Sequence, residues 1–233
     1  QEVRSILCSL GLENSYAFWI FEQLGHSNEK VWRLTKDDVI TNNVNPLHMV
    51  VLIAEKQFPN KRKRLPLFGI EDGDFHQNKE RPGLMTKREA RVQLLADLDL
   101  PKKGVLWDLC AGVGSIGLEA MRISPKLKVL LIEKRGGGAN VIKANALLLG
   151  VKPQGIIEKE AFEYLKNDSL PIDLAIPDRV LVGGGGNNKK KIIKLVLDKL
   201  SPKGVIVIPL ATIEPITMVK DLLLSSGYSF HIK

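Results

Sequence analysis

Residues 104–121 read GVLWDLCAGVGSIGLEAM. Val105, Leu106 and Trp107 have the character of a buried strand, and Asp108 follows at its end. Residues 110–114 form a turn of small side chains, after which Ser115 opens a helix. This is the first strand-turn-helix of a nucleotide-binding α/β sheet. Small residues let the backbone approach a ligand, and the start of the helix offers unpaired N–H groups. Gly112, Gly114 and Gly117 also satisfy the dinucleotide spacing, a weak signal by itself that leaves NAD as one reading. Asp108, four residues before Gly112, discriminates. A carboxylate beside the turn repels a pyrophosphate and suits a cation. S-adenosylmethionine carries an ammonium and a sulfonium and no phosphate, so the charge argument favours it over NAD.

Outward from this stretch, strands and helices alternate. Strands are expected at 105–109, 128–133, 155–159, 179–182, 204–210 and 228–232. Helices are expected at 115–122, 139–149, 162–166, 191–200 and 214–225. Apolar strands separated by helices imply an α/β fold, a Rossmann-like parallel sheet with helices on both faces and the ligand at the carboxyl ends of the strands. Just upstream, Thr86 is placed to cap a helix with Glu89 at the capping-box position; Val92, Leu94, Leu95 and Leu98 supply its apolar face, and Pro101 lies beyond its end. Thr86 and Lys87 then stand at the mouth of the cofactor site.

Glu133 ends the second strand, near the spacing of an acid that accepts both ribose hydroxyls. Gly136, Gly137 and Gly138 follow it and read as a flexible loop, since glycine is a poor helix former. Glu160 and Ala161 follow the third strand, where a small residue lets the backbone contact an adenine. The fourth strand runs into Gly183, Gly184, Gly185 and Gly186, which let a bulky planar acceptor come close to the backbone. Lys189, Lys190 and Lys191 come next and can attract carboxylates.

The first 57 residues differ in character: a short amphipathic helix at 3–10, strands at 17–23, 31–34 and 48–55, and one helical turn at 35–40 capped by Thr35. This is a thin core and reads as a small α+β remnant. Residues 58–83 are rich in Pro, Gly and charge and read as a linker, with Leu65–Ile70 able to pin it to an apolar surface and His76 a polar loop residue. The domain limits are then 1–57, 58–83 and 84–233. The chain has 233 residues, 44% hydrophobic and 26% charged, which is ordinary for a globular protein. No apolar run approaches the roughly 20 residues of a membrane span. Two cysteines, Cys8 and Cys110, suggest no disulfide framework and a reducing, cytoplasmic setting. The net charge of +8 admits nucleic acid, a polycarboxylate substrate or plain solvated surface. Only 6% of residues are aromatic, which weighs against RNA. No metal-ligand spacing and no Ser-His-Asp set is visible.

Taken in order, LMTKREAR (84–91), VLWDLCAGVGSIGLEA (105–120), LLIEK (130–134), KEAFEYL (159–165) and PDRVLVGGGG (177–186) resemble the decarboxylating precorrin-6B C15-methyltransferases of cobalamin biosynthesis. The resemblance covers roughly residues 65–233. FEQLGHSNEKV (21–31) and HMVVLIAE (48–55) resemble the end of the tetrapyrrole-methylase domain that lies upstream in the bifunctional C5,15 enzymes. The resemblance implies a class I S-adenosylmethionine site with contacts from Thr86, Cys110, Ala111, Gly112, Val113, Gly114, Glu133 and Ala161. It also implies methyl transfer to C15 of a corrinoid precursor with loss of CO2 from the ring C acetate, and a homotetramer. On that reading Lys87, Arg88, Arg91 and Lys189 are candidates for holding the substrate's carboxylates. Relative to the family, Cys110 stands where the first motif glycine is usual, and GGGGNN (183–188) replaces a Gly-Gly-Ser/Thr loop. The chain would carry only the end of the C5 domain and stop before a seventh strand, so C15 rather than C5 methylation is implied. The rival readings are another class I methyltransferase, acting on RNA or a small molecule, and a non-catalytic assembly module.

Overall fold

The computed structural model describes residues 2–9, 12–34, 44–55, 65–78, 85–167 and 170–233. By its contacts the chain divides into two compact units, Gln1–Arg64 and Leu65–Lys233.

In the smaller unit, helix α1 (Glu2–Ser9) accompanies an antiparallel sheet of β1 (Tyr16–Glu22), β2 (Lys30–Leu34) and β3 (His48–Ala54), in the order β2-β1-β3. Leu7, Phe18, Ile20 and Leu34 form its core. Strand β1 stops one residue short of the expected end because Gln23 adopts a positive φ of 50°, which no strand accommodates. The helical turn expected at 35–40 lies outside the described residues.

In the larger unit the helices and strands are α2 (Arg88–Asp97), β4 (Lys103–Leu109), α3 (Ser115–Ile123), β5 (Lys126–Ile132), α4 (Gly138–Leu149), β6 (Gly155–Ile157), α5 (Ala161–Asn167), β7 (Arg179–Val182), α6 (Lys189–Leu197), β8 (Val205–Val207) and α7 (Glu214–Ser225). The five strands run in the order β6-β5-β4-β7-β8, and every neighbouring pair is parallel. Leu106, Trp107, Leu109, Val129, Leu131 and Ile132 are all fully buried. Strands covered on both faces are apolar where they are buried, which is why Val105–Trp107 of β4 and Val129–Ile132 of β5 read as continuous hydrophobic runs. The sheet is the expected Rossmann-like one. Its order reverses at β4, whose neighbours are β5 on one side and β7 on the other, so a ligand crevice is expected above the ends of these strands.

Four expectations need correction. Residues 228–232 form no strand: Tyr228 donates its hydroxyl to the Leu197 carbonyl at 3.1 Å, and Tyr228 and Phe230 pack on the apolar cluster of α6 and α7. Their alternation serves side-chain packing rather than a ladder. The edge strands β6 and β8 are shorter than expected. Thr86 does not cap α2. Lys87 is the N-cap residue, without a side-chain cap, and the Thr86 carbonyl instead accepts from Arg91 Nη1 at 2.7 Å.

The fourth correction concerns the expected linker 58–83. Residues 58–64 and 79–83 lie outside the described residues, but 65–78 form a strap built into the larger unit. The Gly69 and Ile70 N–H groups donate to the Glu119 carboxylate at 2.5 and 3.3 Å. Arg91, with no exposed surface, donates Nε to Glu119 at 2.7 Å and Nη1 to Asp72 at 2.8 Å, and its Nη2 reaches the Ile70 carbonyl. Its guanidinium also stands 4.9 Å from the centre of the Phe75 ring. A buried ion pair owes its standing to such complete partnering, and removing one member leaves a charge without compensation. Glu119→Ala is therefore expected to cost about 3–5 kcal/mol in chemical denaturation. The Arg91→Met/Glu119→Leu double variant is expected to lose less than the two single variants together.

Candidate active site

A cleft of about 390 Å³ opens above the carboxyl ends of the central strands, within the size range of small-molecule sites. Asp108 and Glu133 project into it from the ends of β4 and β5, only 2% and 3% exposed. Asp108 Oδ2 accepts the Gly117 N–H of α3 at 3.0 Å. Only glycine permits this approach, since a Cβ at 117 would sit 2.9 Å from that oxygen. Burial pushes the Asp108 carboxyl up to about 7; the Gly117 hydrogen bond opposes this, and the negative charge of Glu133 adds to it.

Glu133 accepts the Gly112 N–H on Oε2 at 2.7 Å and the Arg135 N–H on Oε1 at 2.9 Å. Each oxygen keeps capacity for a further donor such as a hydroxyl. The same side chain accounts for the glycine run that follows it: a Cβ at Gly138 would lie 2.7 Å from Glu133 Cγ. Gly137, at a φ of 77°, turns the chain into α4. The expected flexible loop is thus a helix start shaped around the acid.

The turn itself alternates through positive φ at Cys110 (61°), Gly112 (61°) and Gly114 (77°). Ala111 and Val113 line the cleft with Gly112. Gly114 lies under the turn rather than on the wall, because a Cβ there would meet Ile142 and Leu131 at 3.1 Å. Cys110 is a non-glycine residue in the left-handed region, a strained choice. Burial pushes its thiol up to about 11, with Glu133, Asp108 and Glu160 adding to the effect, so it stays protonated at neutral pH and is not a nucleophile.

The opposite wall is made by the turns after β6 and β7. Glu160 accepts the Glu163 N–H at 3.0 Å, which fastens the start of α5, and Ala161 lies beside it on the wall, 3% exposed. Gly183 and Gly184 touch the first turn directly: Cβ atoms there would lie 3.3 Å from the Cys110 carbonyl and 3.1 Å from Cys110 Cβ. Thr86 and Met85 also line the cleft.

Thr86, Asp108, Cys110, Ala111, Gly112, Val113, Glu133, Glu160, Ala161, Gly183 and Gly184 are therefore brought around one cavity, with Gly114 behind it. The expected basic residues fare differently. Arg91 is sealed under the strap and cannot meet a substrate carboxylate. Lys87 faces Asp72 at 3.7 Å, and Arg88 donates to the Gly69 carbonyl at 2.7 Å and pairs with Glu71 at 3.3 Å; neither lines the cleft. Lys189 starts α6 just past the glycine loop, and partial burial lowers its pKa. Lys134, Arg135 and Lys159 line the cleft instead. Their positions immediately after strand ends are the signal that could have singled them out.

Chemically, two of the N–H groups in this turn and helix start are already engaged by carboxylates: Gly112 by Glu133 and Gly117 by Asp108. The crevice suits a ligand that brings a cation and hydroxyl donors. Among the described residues no group of His, Cys, Asp and Glu could hold a metal ion, and no helix is long and apolar enough to cross a membrane.

Comparison with known proteins agrees with this geometry. The precorrin methyltransferase domain family matches residues 77–230. A precorrin-6Y C(5,15)-methyltransferase (decarboxylating) of a Sinorhizobium species is 32% identical over 186 residues, covering 79% of this chain and 42% of the relative's length. The chain thus spans less than half of that protein. A probable cobalt-precorrin-6B C(15)-methyltransferase (decarboxylating) of Pyrobaculum aerophilum is 32% identical over 166 residues, 70% of this chain and 81% of the relative. The crystal structure of a precorrin-6y C5,15-methyltransferase from Geobacter metallireducens GS-15 superposes with a TM-score of 0.60 at 31% identity, covering 71% of this chain and 84% of that one. A parallel sheet that reverses at β4, a cleft walled by two buried acids and these matches together place the chain in the precorrin methyltransferase domain family.

Proposed function

We propose that the larger unit transfers a methyl group from S-adenosylmethionine to C15 of a precorrin-6B-type corrinoid precursor, with loss of CO2 from the ring C acetate, in cobalamin biosynthesis. The observation that carries the reading is the pair of buried carboxylates that accept the Gly112 N–H of the first turn and the Gly117 N–H of α3. In a chain of this family, such a crevice fits a nucleoside with a positive charge. The cofactor, when bound, supplies a methyl group activated by the sulfonium. Glu133 would accept the ribose hydroxyls, Asp108 would face the cationic end, and Ala161 would leave room for the adenine.

The protein's own contribution is position and charge. Holding two reactants in line supplies roughly 7–11 kcal/mol of the barrier, and among the described residues that line the cleft none is an activated nucleophile. Gly186 lines the cleft with open space where a side chain would stand, which leaves a broad planar acceptor free to approach the backbone there. Lys134, Arg135 and Lys159 on the walls, with Lys189, Lys190 and Lys191 beyond the glycine loop, supply positive charge for its carboxylates. The free cysteines accord with a cytoplasmic place of work, and the family resemblance supports a homo-oligomer.

Calorimetry tests the cofactor directly. Titration with S-adenosylmethionine is expected to show one site per chain and titration with NADH none; heat from NADH alone would refute the reading. Asp108→Asn keeps an oxygen for the Gly117 N–H but removes the charge, so cofactor affinity is expected to drop about tenfold or more, the effect of some 1.4 kcal/mol. Without ligand, the chain carrying Asp108→Asn is expected to be at least as stable as the parent above pH 7. The sign follows from the raised pKa. The proton is held in the fold up to about pH 7, so the stability this group contributes is full below about pH 4 and is lost as the pH rises through 7. A bound cation favours the ionised form, so affinity is expected to fall as the pH drops below 7, with proton release on binding at pH 6. Replacing Lys189, Lys190 and Lys191 together by Glu is expected to raise KM for the corrinoid substrate at least about tenfold and to leave cofactor affinity unchanged.

A further inference from the structure

Asn145 lies on α4 with no exposed surface, and nothing in the proposed chemistry uses it. Its amide hydrogen-bonds main chain in two places distant in sequence. Nδ2 donates to the Val113 carbonyl at 3.0 Å, in the turn that walls the cofactor crevice. Nδ2 also donates to the His76 carbonyl at 3.0 Å, and Oδ1 accepts the His76 N–H at 2.7 Å. Three of the four hydrogen bonds an amide can make are thus engaged. His76 belongs to the strap, whose earlier part is held at Gly69 and Ile70 by Glu119 and at Asp72 by Arg91. The two residues after it, Gln77 and Asn78, line a recess together with Gly112, Glu133 and Arg135. That recess adjoins the cleft on the side where Glu133 stands.

We infer that Asn145 is a positioning residue for the ligand crevice: by cross-linking Val113 to His76 it fixes the first turn and the strap against each other, and so sets the wall beside Glu133. The identity of the ligand rests on the cofactor reading above; the cross-link does not. An apolar residue of similar size could fill the same volume, but it would leave the Val113 carbonyl buried without this partner and release the His76 N–H and carbonyl of the strap. A bifunctional amide is the side chain that satisfies both kinds of group at once. His76 itself contributes its backbone here, so the polar loop residue of the sequence is a docking point.

The test uses the whole chain and three variants. Asn145→Ala removes the cross-link, and Asn145→Ser retains a single donor should the alanine variant fail to fold. Leu223→Ala, in the α6–α7 cluster away from the cleft, lowers stability without touching it. Affinity for S-adenosylhomocysteine is measured by calorimetry well below each melting temperature, and amide hydrogen exchange is followed in segments 76–78 and 110–114. The expected result is a rise of about tenfold in Kd for Asn145→Ala, with both segments exchanging faster together. Leu223→Ala is expected to change neither, at a comparable loss of melting temperature. If the Asn145 variants bind within twofold of the parent, or if the two segments exchange as in the Leu223 variant, the residue is only structural and the inference falls. If the parent chain itself does not bind S-adenosylhomocysteine, the cofactor reading fails separately, and the exchange of the two segments alone decides the role of Asn145.

Discussion

The hydrogen bond from the Gly112 N–H to the Glu133 carboxylate, 2.7 Å long, is the contact on which the rest of the site depends. It joins the turn after β4 to the end of β5 and gives the acid a fixed orientation. It also engages an N–H donor of the turn. Asp108 does the same one helical turn further on, through Gly117. Burial is the main reason the Asp108 carboxyl is pushed up to about 7, and the negative charge of Glu133 adds to it. A cationic ligand relieves the cost of ionising it, and a phosphate would add to that cost.

Close approach is the second constraint. The turns after β4 and β7 touch through Cys110, Gly183 and Gly184, and a side chain at either glycine would press on Cys110. Cys110 accepts a positive φ that L-residues adopt at a cost of roughly 1–2 kcal/mol. Strain of this kind persists where surrounding structure over-determines a position, and here both the carboxylates and the glycine loop close around the thiol. The protonated sulfur is a wall of the cleft rather than a reagent.

The third is the strap of residues 65–78. A fully buried arginine is expensive unless every donor is met, and Arg91 meets Glu119, Asp72 and the carbonyls of Ile70 and Thr86. That network docks the strap and also holds Thr86, which lines the cleft. Stability and site geometry therefore share the same side chains in this part of the molecule, whereas the cluster between α6 and α7 serves packing.

The sequence by itself determined the sheet and most of its crevice. Uninterrupted apolar runs at β4 and β5 can only be strands covered on both faces, and residues at the ends of parallel strands must converge, so Asp108, Glu133, Ala161 and the loop glycines were legible from order and spacing. Tertiary structure decided everything that depends on what a side chain meets across the fold. Arg91 reads as a free cation on a capped helix, because nothing local shows that Glu119 and Asp72 will bury it. The strap reads as a linker because its Pro, Gly and charged residues follow the composition of one, while its backbone partners lie 50 and 69 residues away, at Glu119 and Asn145. Tyr228 and Phe230 alternate like a strand, yet a neighbour to pair with is a property of the sheet and not of the segment. Periodicity encodes which faces are apolar; which buried polar group pairs with which is fixed only when the chain has closed on itself.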